Sequence, residues 1–265
     1  MLETPAPADV LASITPDVAV VMVTEVDYRT GRRHDMAAIV EKAHAVGAVV
    51  VCDLAHSAGA IPVNVGDVDF AVGCSYKFLN GGPGAPAFIY VAPRHLDVVE
   101  PVLTGWFGHA APFDFDLSYR PMPNKLERMR IGTPSIASFK LLDVALDIWD
   151  GVDMADVWAR SVELSELFIR EVEAKCPGMT FAGPRDPERR GSQVSFRFSE
   201  GYACMQACIA EGVIGDFRAP DIMRVGITPL FIGEDDVLRA TDTLARICRD
   251  EAWRAQVGTK RAQVT

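Results

Sequence analysis

The sequence predicts an α/β fold: a mostly parallel sheet in a large domain, followed by a smaller α+β domain. Three observations lead there. Over the first ninety residues the apolar pattern alternates in type, reading as strand, helix, strand, short strand, strand. Its first two strands are nearly unbroken apolar runs, as in parallel strands covered on both faces. From Gly191 onward the order changes to strand, helix, two strands and a final helix, in a shorter span of chain.

Residues 18–25 (VAVVMVTE) are too uniformly apolar for a half-exposed strand and are expected to be a central parallel strand. A helix follows, with Asp35 as N-cap, Gly47 as stop, and Met36, Ile39, Val40, Ala43 and Val46 on one stripe. Residues 48–54 (AVVVCDL) give a second buried strand that ends in the polar Asp53. Residues 69–75 (DFAVGCS) and 86–91 (PAFIYV) give two more, joined through the tight turn Asn80-Gly81-Gly82-Pro83-Gly84. Between Leu103 and Arg130 aromatic, proline and glycine residues replace the periodic pattern, which suits a functional loop better than a connector. Thr133 suits an N-cap and Pro134 the first helical position, and the helical region so begun runs to about Lys175. Strands at 193–198, 213–218 and 222–227, a helix at 202–212 and another from Glu234 complete the C-terminal part. A boundary is expected in 176–190 (CPGMTFAGPRDPERR), giving domains over 1–176 and 177–265.

A chain of 265 residues, 49% hydrophobic and 23% charged, can bury a sizeable core. A net charge of -10 argues against nucleic acid, because neutralising phosphates takes clustered Lys and Arg, and favours small-molecule chemistry. The longest apolar run, Val18 to Val23, is too short for a bilayer span, and no basic-then-apolar leader opens the chain. A soluble, cytoplasmic protein is expected. The cysteines at 52, 74, 176, 204, 208 and 248 contain no Cys-x-x-Cys pair and have no His-rich spacing, so they read as reduced thiols with no metal site. Cys204 and Cys208, four apart on a helix, read as packing residues.

Asp53 and Lys77 are the candidate pair for chemistry. Each follows a buried strand, and in open α/β sheets ligands sit outside the carboxyl ends of the strands. A lysine there can form a Schiff base with an aldehyde cofactor, while a carboxylate keeps a pyridine nitrogen protonated. The plainer alternative is that Asp53 caps the next loop and Lys77 is solvated. Gly81-Gly82-Pro83-Gly84 lacks the Gly-Lys-Ser/Thr ending of a phosphate loop and reads as a turn that brings backbone close to a ligand.

The words around these residues separate the alternatives. Cys52-Asp53-Leu54-Ala55-His56-Ser57-Ala58-Gly59 and Ser75-Tyr76-Lys77-Phe78-Leu79-Asn80-Gly81-Gly82 resemble the cofactor-aspartate and Schiff-base-lysine segments of kynureninases. Thr24-Glu25-Val26-Asp27-Tyr28-Arg29-Thr30-Gly31, Gly105-Trp106-Phe107-Gly108, Arg130-Ile131-Gly132-Thr133-Pro134 and Arg224-Val225-Gly226-Ile227-Thr228-Pro229-Leu230 extend the likeness over most of the chain. Cysteine desulfurases and aminotransferases of the same fold type usually carry Gln in place of His56 and His in place of Tyr76.

The resemblance implies the fold of type I pyridoxal-phosphate enzymes, of the class V aminotransferase kind. It implies hydrolysis of L-kynurenine, and of its 3-hydroxylated form as a further substrate, to anthranilate and L-alanine in tryptophan catabolism. In that reading Lys77 holds pyridoxal 5′-phosphate as a Schiff base and later moves protons, and Asp53 pairs with the pyridinium nitrogen. His56 lies beside the cofactor, and Tyr76 bonds its phosphate and serves as an acid-base group. Trp106 and Thr133 complete the cofactor and substrate pocket from the neighbouring subunit of a homodimer, and Arg224 clamps the substrate's α-carboxylate. Gly132-Thr133 resembles the kynurenine-preferring bacterial members. The resemblance also implies that the chain is truncated at its N-terminus relative to the family. A non-catalytic or partner-dependent subunit, and a desulfurase-like enzyme, are the alternatives.

Overall fold

The apolar runs of the sequence become the strands of a four-stranded sheet in the computed structural model, which describes residue 6 and residues 8–258. After the short helix α1 (Val10–Ser13) come β1 (Val20–Thr24), α2 (Met36–Ala45), β2 (Val49–Asp53), β3 (Phe70–Cys74) and β4 (Ala87–Val91). The strand order is β1-β2-β3-β4. β3 runs parallel to β2, with Asp53 opposite Val72, and β4 runs antiparallel to β3, with Cys74 opposite Ala87. Helix α2 buries Ile39, Val40 and Ala43 and stops where Gly47 takes φ +80°, a conformation that costs glycine little. Val50, Cys52 and Ala71 are sealed in the sheet's core.

The first run departs from expectation. Among the described residues β1 lies at the end of the sheet order, with Val20 57% and Met22 67% exposed, rather than central and covered. An unbroken apolar run shows that a strand has two apolar faces, and the pairing then decides its place in the sheet.

Asp69, buried just before β3, ties this unit together. It accepts from Val50 N at 2.7 Å and Arg94 Nη2 at 2.8 Å, and bonds His44 Nε2 at 2.9 Å and His95 Nε2 at 2.5 Å. One carboxylate thus joins the end of α2, the start of β2 and the turn after β4. Burial pushes its pKa up, but the bonds from His95, Val50 N, His44 and Arg94 outweigh this and hold it well below the usual carboxylate range.

The expected cap at Thr133-Pro134 is displaced. Ser135 is the N-cap of α3 (Ile136–Leu146): its backbone is extended and its carbonyl accepts from Phe139 N at 3.0 Å, so the helix starts two residues after Thr133. The helical region is also broken: Gly151 takes φ +76°, and Asp153 starts α4 (Met154–Lys175) by accepting from Ala155 N at 2.8 Å.

A second sheet follows, formed by β5 (Thr180–Phe181), β6 (Gln193–Arg197), β7 (Asp216–Arg218) and β8 (Ile222–Gly226) in the order β5-β6-β8-β7, every neighbour antiparallel. Helix α5 (Gly201–Ala210) connects β6 to β7, and α6 (Glu234–Arg249) packs on α4. Leu164, Phe168, Val172, Phe196, Met223 and Ile247 form this core. Cys204 and Cys208 are buried in it, as their helical spacing predicted.

The described chain divides into two compact units. The first takes residues up to Val23, Met36–Ala55 and Asn64–Asp150; the second takes Thr24–Asp35, His56–Val63 and the residues from Gly151 on. The boundary expected in 176–190 falls inside the second unit, because α4 belongs to its core. The two early segments join that unit through their backbone carbonyls: Gly191 N donates to Gly31 O at 2.8 Å, and the Ser192 hydroxyl to Ala60 O at 2.8 Å. No helix of the described residues is long and apolar enough to cross a membrane.

Replacing Asp69 by Ala strands the donors of four residues, two of them half-exposed side chains, and is expected to cost about 2–4 kcal/mol of stability. Chemical denaturation beside the wild type measures it, and a loss under about 1 kcal/mol contradicts the role. Since the folded pKa is depressed, the contribution is present above about pH 4 and is lost as pH falls.

Candidate active site

Asp53 is the last residue of β2, and β3 leads through Ser75 to Tyr76 and Lys77, so parallel pairing carries all three to one carboxyl edge of the first unit. Leu54 N donates to Val72 O at 2.7 Å and extends the ladder past Asp53. Asp53 Oδ1 accepts from Ala55 N at 2.8 Å, and among the described residues no Lys, Arg or His forms an ion pair with it. A half-buried carboxylate without a cation is suited to a cationic ligand group.

Tyr76 lies beside Cys74, whose thiol donates to Ala55 O at 3.8 Å. Burial first, then Cys74 and the charge of Asp53, hold the phenol's pKa above 10, so it is a proton donor at neutral pH. Lys77 Nζ stands over the Tyr76 ring, 5.5 Å from its centroid.

The backbone beyond the lysine is tightly fixed. Asn80 N donates to Lys77 O at 2.8 Å, Gly81 N to Ser75 O at 2.8 Å, and Ser75 Oγ to Pro86 O at 2.5 Å. A Cβ on Gly81 would stand 2.8 Å from both Ser75 O and Ala85 Cβ, so no other residue fits this turn without movement. Asn80, in left-handed backbone at φ 62°, holds a buried Nδ2 without a hydrogen-bond partner. An unsatisfied buried donor three residues from Lys77 fits a ligand that brings acceptor oxygens.

Trp106 and Thr133 are exposed, on segments that pack backbone to backbone: a Cβ on Gly105 would overlap Ile131 O at 1.7 Å. Trp106 packs edge-on against Phe107 and Phe113, with centroids 4.8 and 5.7 Å apart. The loop expected at 103–130 is ordered around His109, whose Nδ1 accepts from Ala111 N at 3.0 Å. Its Nε2 therefore carries the proton and donates to Ser118 O at 3.1 Å.

His56 and Arg224 belong to the second unit. Arg224 is no exposed strand residue: its side chain is only 10% accessible. Its Nε donates to Asp216 Oδ1 at 2.8 Å, its Nη2 to Asp216 Oδ2, and its Nη1 to Tyr28 O. Sequence reading missed Cys74, Asn80, Asp216 and the Tyr28 carbonyl as partners of the candidate residues. Asp216 was legible only as an acidic residue in a strand, since its pairing needs the register of β7 on β8. Among the described residues no group of three or more His, Cys, Asp or Glu is arranged to hold a metal ion.

Residues 157–244 match the family described as Kynureninase C-terminal domain. The chain is 50% identical to the kynureninase of Deinococcus radiodurans over 247 residues, covering 91% of this chain and 60% of that protein. It is 44% identical to the kynureninase of Burkholderia mallei over 263 residues, 98% of this chain and 63% of that one. The chain thus spans about three fifths of the length of these relatives. Among solved structures it is similar to the cystine C-S lyase C-DES in complex with cysteine persulfide, with a TM-score of 0.76 at 19% identity, covering 92% of this chain and 65% of that one. It is likewise similar to the cysteine desulfurase CsdA of Escherichia coli, with a TM-score of 0.72 at 23% identity, covering 95% and 63%. These two show the fold, and it is the one the sequence predicts.

Ultraviolet titration of the wild type beside Tyr76→Phe should lose a phenolate step lying above pH 10. A missing step below pH 10 would contradict the environment assigned to Tyr76.

Proposed function

We propose that this chain, which belongs to the kynureninase family, carries the lysine-bearing part of an enzyme that hydrolyses L-kynurenine to anthranilate and L-alanine with pyridoxal 5′-phosphate. The observation that carries the reading is the convergence of Asp53, Tyr76 and Lys77 on one carboxyl edge, in a chain 44–50% identical to kynureninases over nearly its whole length. The donor set fits the cofactor: a lysine amine, a carboxylate without a cation, a protonated phenol and the unsatisfied Asn80 amide.

Lys77 would hold the cofactor through Nζ, Asp53 would face its ring nitrogen, Tyr76 would donate to its phosphate, and His56 would lie beside it. When bound, pyridoxal phosphate supplies an electron sink for charge that develops at the substrate's α-carbon. Asp53, with Oδ1 anchored by Ala55 N, keeps a negative charge in place to hold a pyridinium proton. Lys77 Nζ takes and returns the proton at the α-carbon. Tyr76 keeps its proton at neutral pH and can donate it to a developing anion. Arg224 binds the α-carboxylate through its planar fork.

In the same reading the enzyme is a cytoplasmic homodimer. Support for the dimer lies in Trp106 and Thr133, which stand exposed on adjacent segments where a second copy can take them into its own site. The desulfurase alternative needs a mobile catalytic cysteine. Cys204 and Cys208 do not provide one, being 0% and 2% exposed in the core helix α5.

The test is anthranilate fluorescence from the full-length protein supplied with pyridoxal phosphate and L-kynurenine. Lys77→Ala is expected to lower the rate by roughly 10²–10⁴-fold or more. An unchanged rate in the variant, or sulfide release from L-cysteine without anthranilate from L-kynurenine, overturns the reading.

A further inference from the structure

The β7–β8 register places Asp216 directly opposite Arg224, while the next pair, Phe217 and Met223, faces the core of the second unit. The sheet register therefore holds the two residues side by side, within reach of a bidentate carboxylate–guanidinium pair. Two groups hold the guanidinium: the Asp216 carboxylate takes Nε and Nη2, and the Tyr28 carbonyl takes Nη1. That carbonyl is itself held, since the buried Gln193 donates Nε2 to Tyr28 O at 3.1 Å and to Asp27 O at 3.2 Å.

A guanidinium has five N–H donors. Three are taken here, which leaves one on Nη1 and one on Nη2 for a further acceptor. Asp216 does not cancel the site's charge, because Arg218 Nη2 also lies 3.2 Å from its Oδ2. Two arginines on one aspartate leave the rung positive.

We propose that Asp216 is a positioning residue: it locks the plane of Arg224 so that the two remaining N–H groups face an incoming amino-acid carboxylate. The inference rests on the reading of Arg224 as the carboxylate clamp. It adds that affinity for the carboxylate depends on a second carboxylate that the substrate does not touch.

The experiment compares wild type, Asp216→Asn and Asp216→Glu as full-length holoenzymes. Binding of L-kynurenine and of its amine analogue lacking the α-carboxylate is measured by calorimetric titration, and KM and kcat are measured where turnover occurs. Asp216→Asn should weaken L-kynurenine roughly 10- to 100-fold through KM, leave kcat much less affected, and leave the amine analogue's affinity unchanged. Asp216→Glu, which keeps the charge but shifts it, should lose less, and it carries the test if the Asn variant does not fold.

Equal weakening of both ligands makes Asp216 merely structural and overturns the proposal. Tighter L-kynurenine binding in the Asn variant makes Asp216 a competitor and overturns it too. So does a wild type that does not prefer the carboxylate-bearing ligand. If the wild type binds L-kynurenine with that preference but does not cleave it, the proposed reaction fails while the binding comparison still decides the role of Asp216.

Discussion

Parallel pairing of β2 with β3 is the constraint on which the lysine-bearing half of the site depends. Val51 lies opposite Phe70 and Asp53 opposite Val72, so both strands finish at one edge. A shift of one residue would turn Asp53 to the other face of the sheet and separate it from Tyr76 and Lys77. The pairing is held from both ends. Asp69 bonds Val50 N at the start of the strands, and Leu54 N reaches Val72 O beyond Asp53. The rigid turn from Asn80 to Pro86 then fixes the direction in which the chain leaves Lys77.

Much of this was legible in the sequence because the signals were local. Unbroken apolar runs gave the strands, the 3.6-residue stripe through Ile39, Val40 and Ala43 gave α2, and polar residues just past apolar runs marked Asp53 and Lys77. What was not legible depends on contacts distant in sequence. The apolar run at β1 reports two apolar faces but not which strands lie beside it, and β1 proved to be at the end of the sheet order. Thr133 and Ser135 both suit a cap by residue type, and the helix starts from Ser135, whose carbonyl accepts from Phe139 N. The switch of residues 24–35 and 56–63 into the second unit has no local signal, since the partners of Gly31 and Ala60 lie at 191 and 192.

The candidate residues divide in the same way. Lys77, Asp53 and Tyr76 are candidates because of their place at strand ends and the words around them. Their partners were hidden: Cys74 beside Tyr76, and Asp216 and the Tyr28 carbonyl around Arg224, which only strand register and a long-range backbone contact reveal. A reactive side chain can be recognised from its type and position. The groups that aim it and set its protonation come from the fold.

The central claim is that Lys77 is the residue that bonds the cofactor. The most direct measurement is to treat the full-length protein with pyridoxal phosphate, reduce it with borohydride and locate the stable adduct by peptide mass mapping. The adduct is predicted on Lys77, at one per chain. An adduct placed instead on Lys42, Lys125, Lys140 or Lys175, with Lys77 unmodified, would contradict the account.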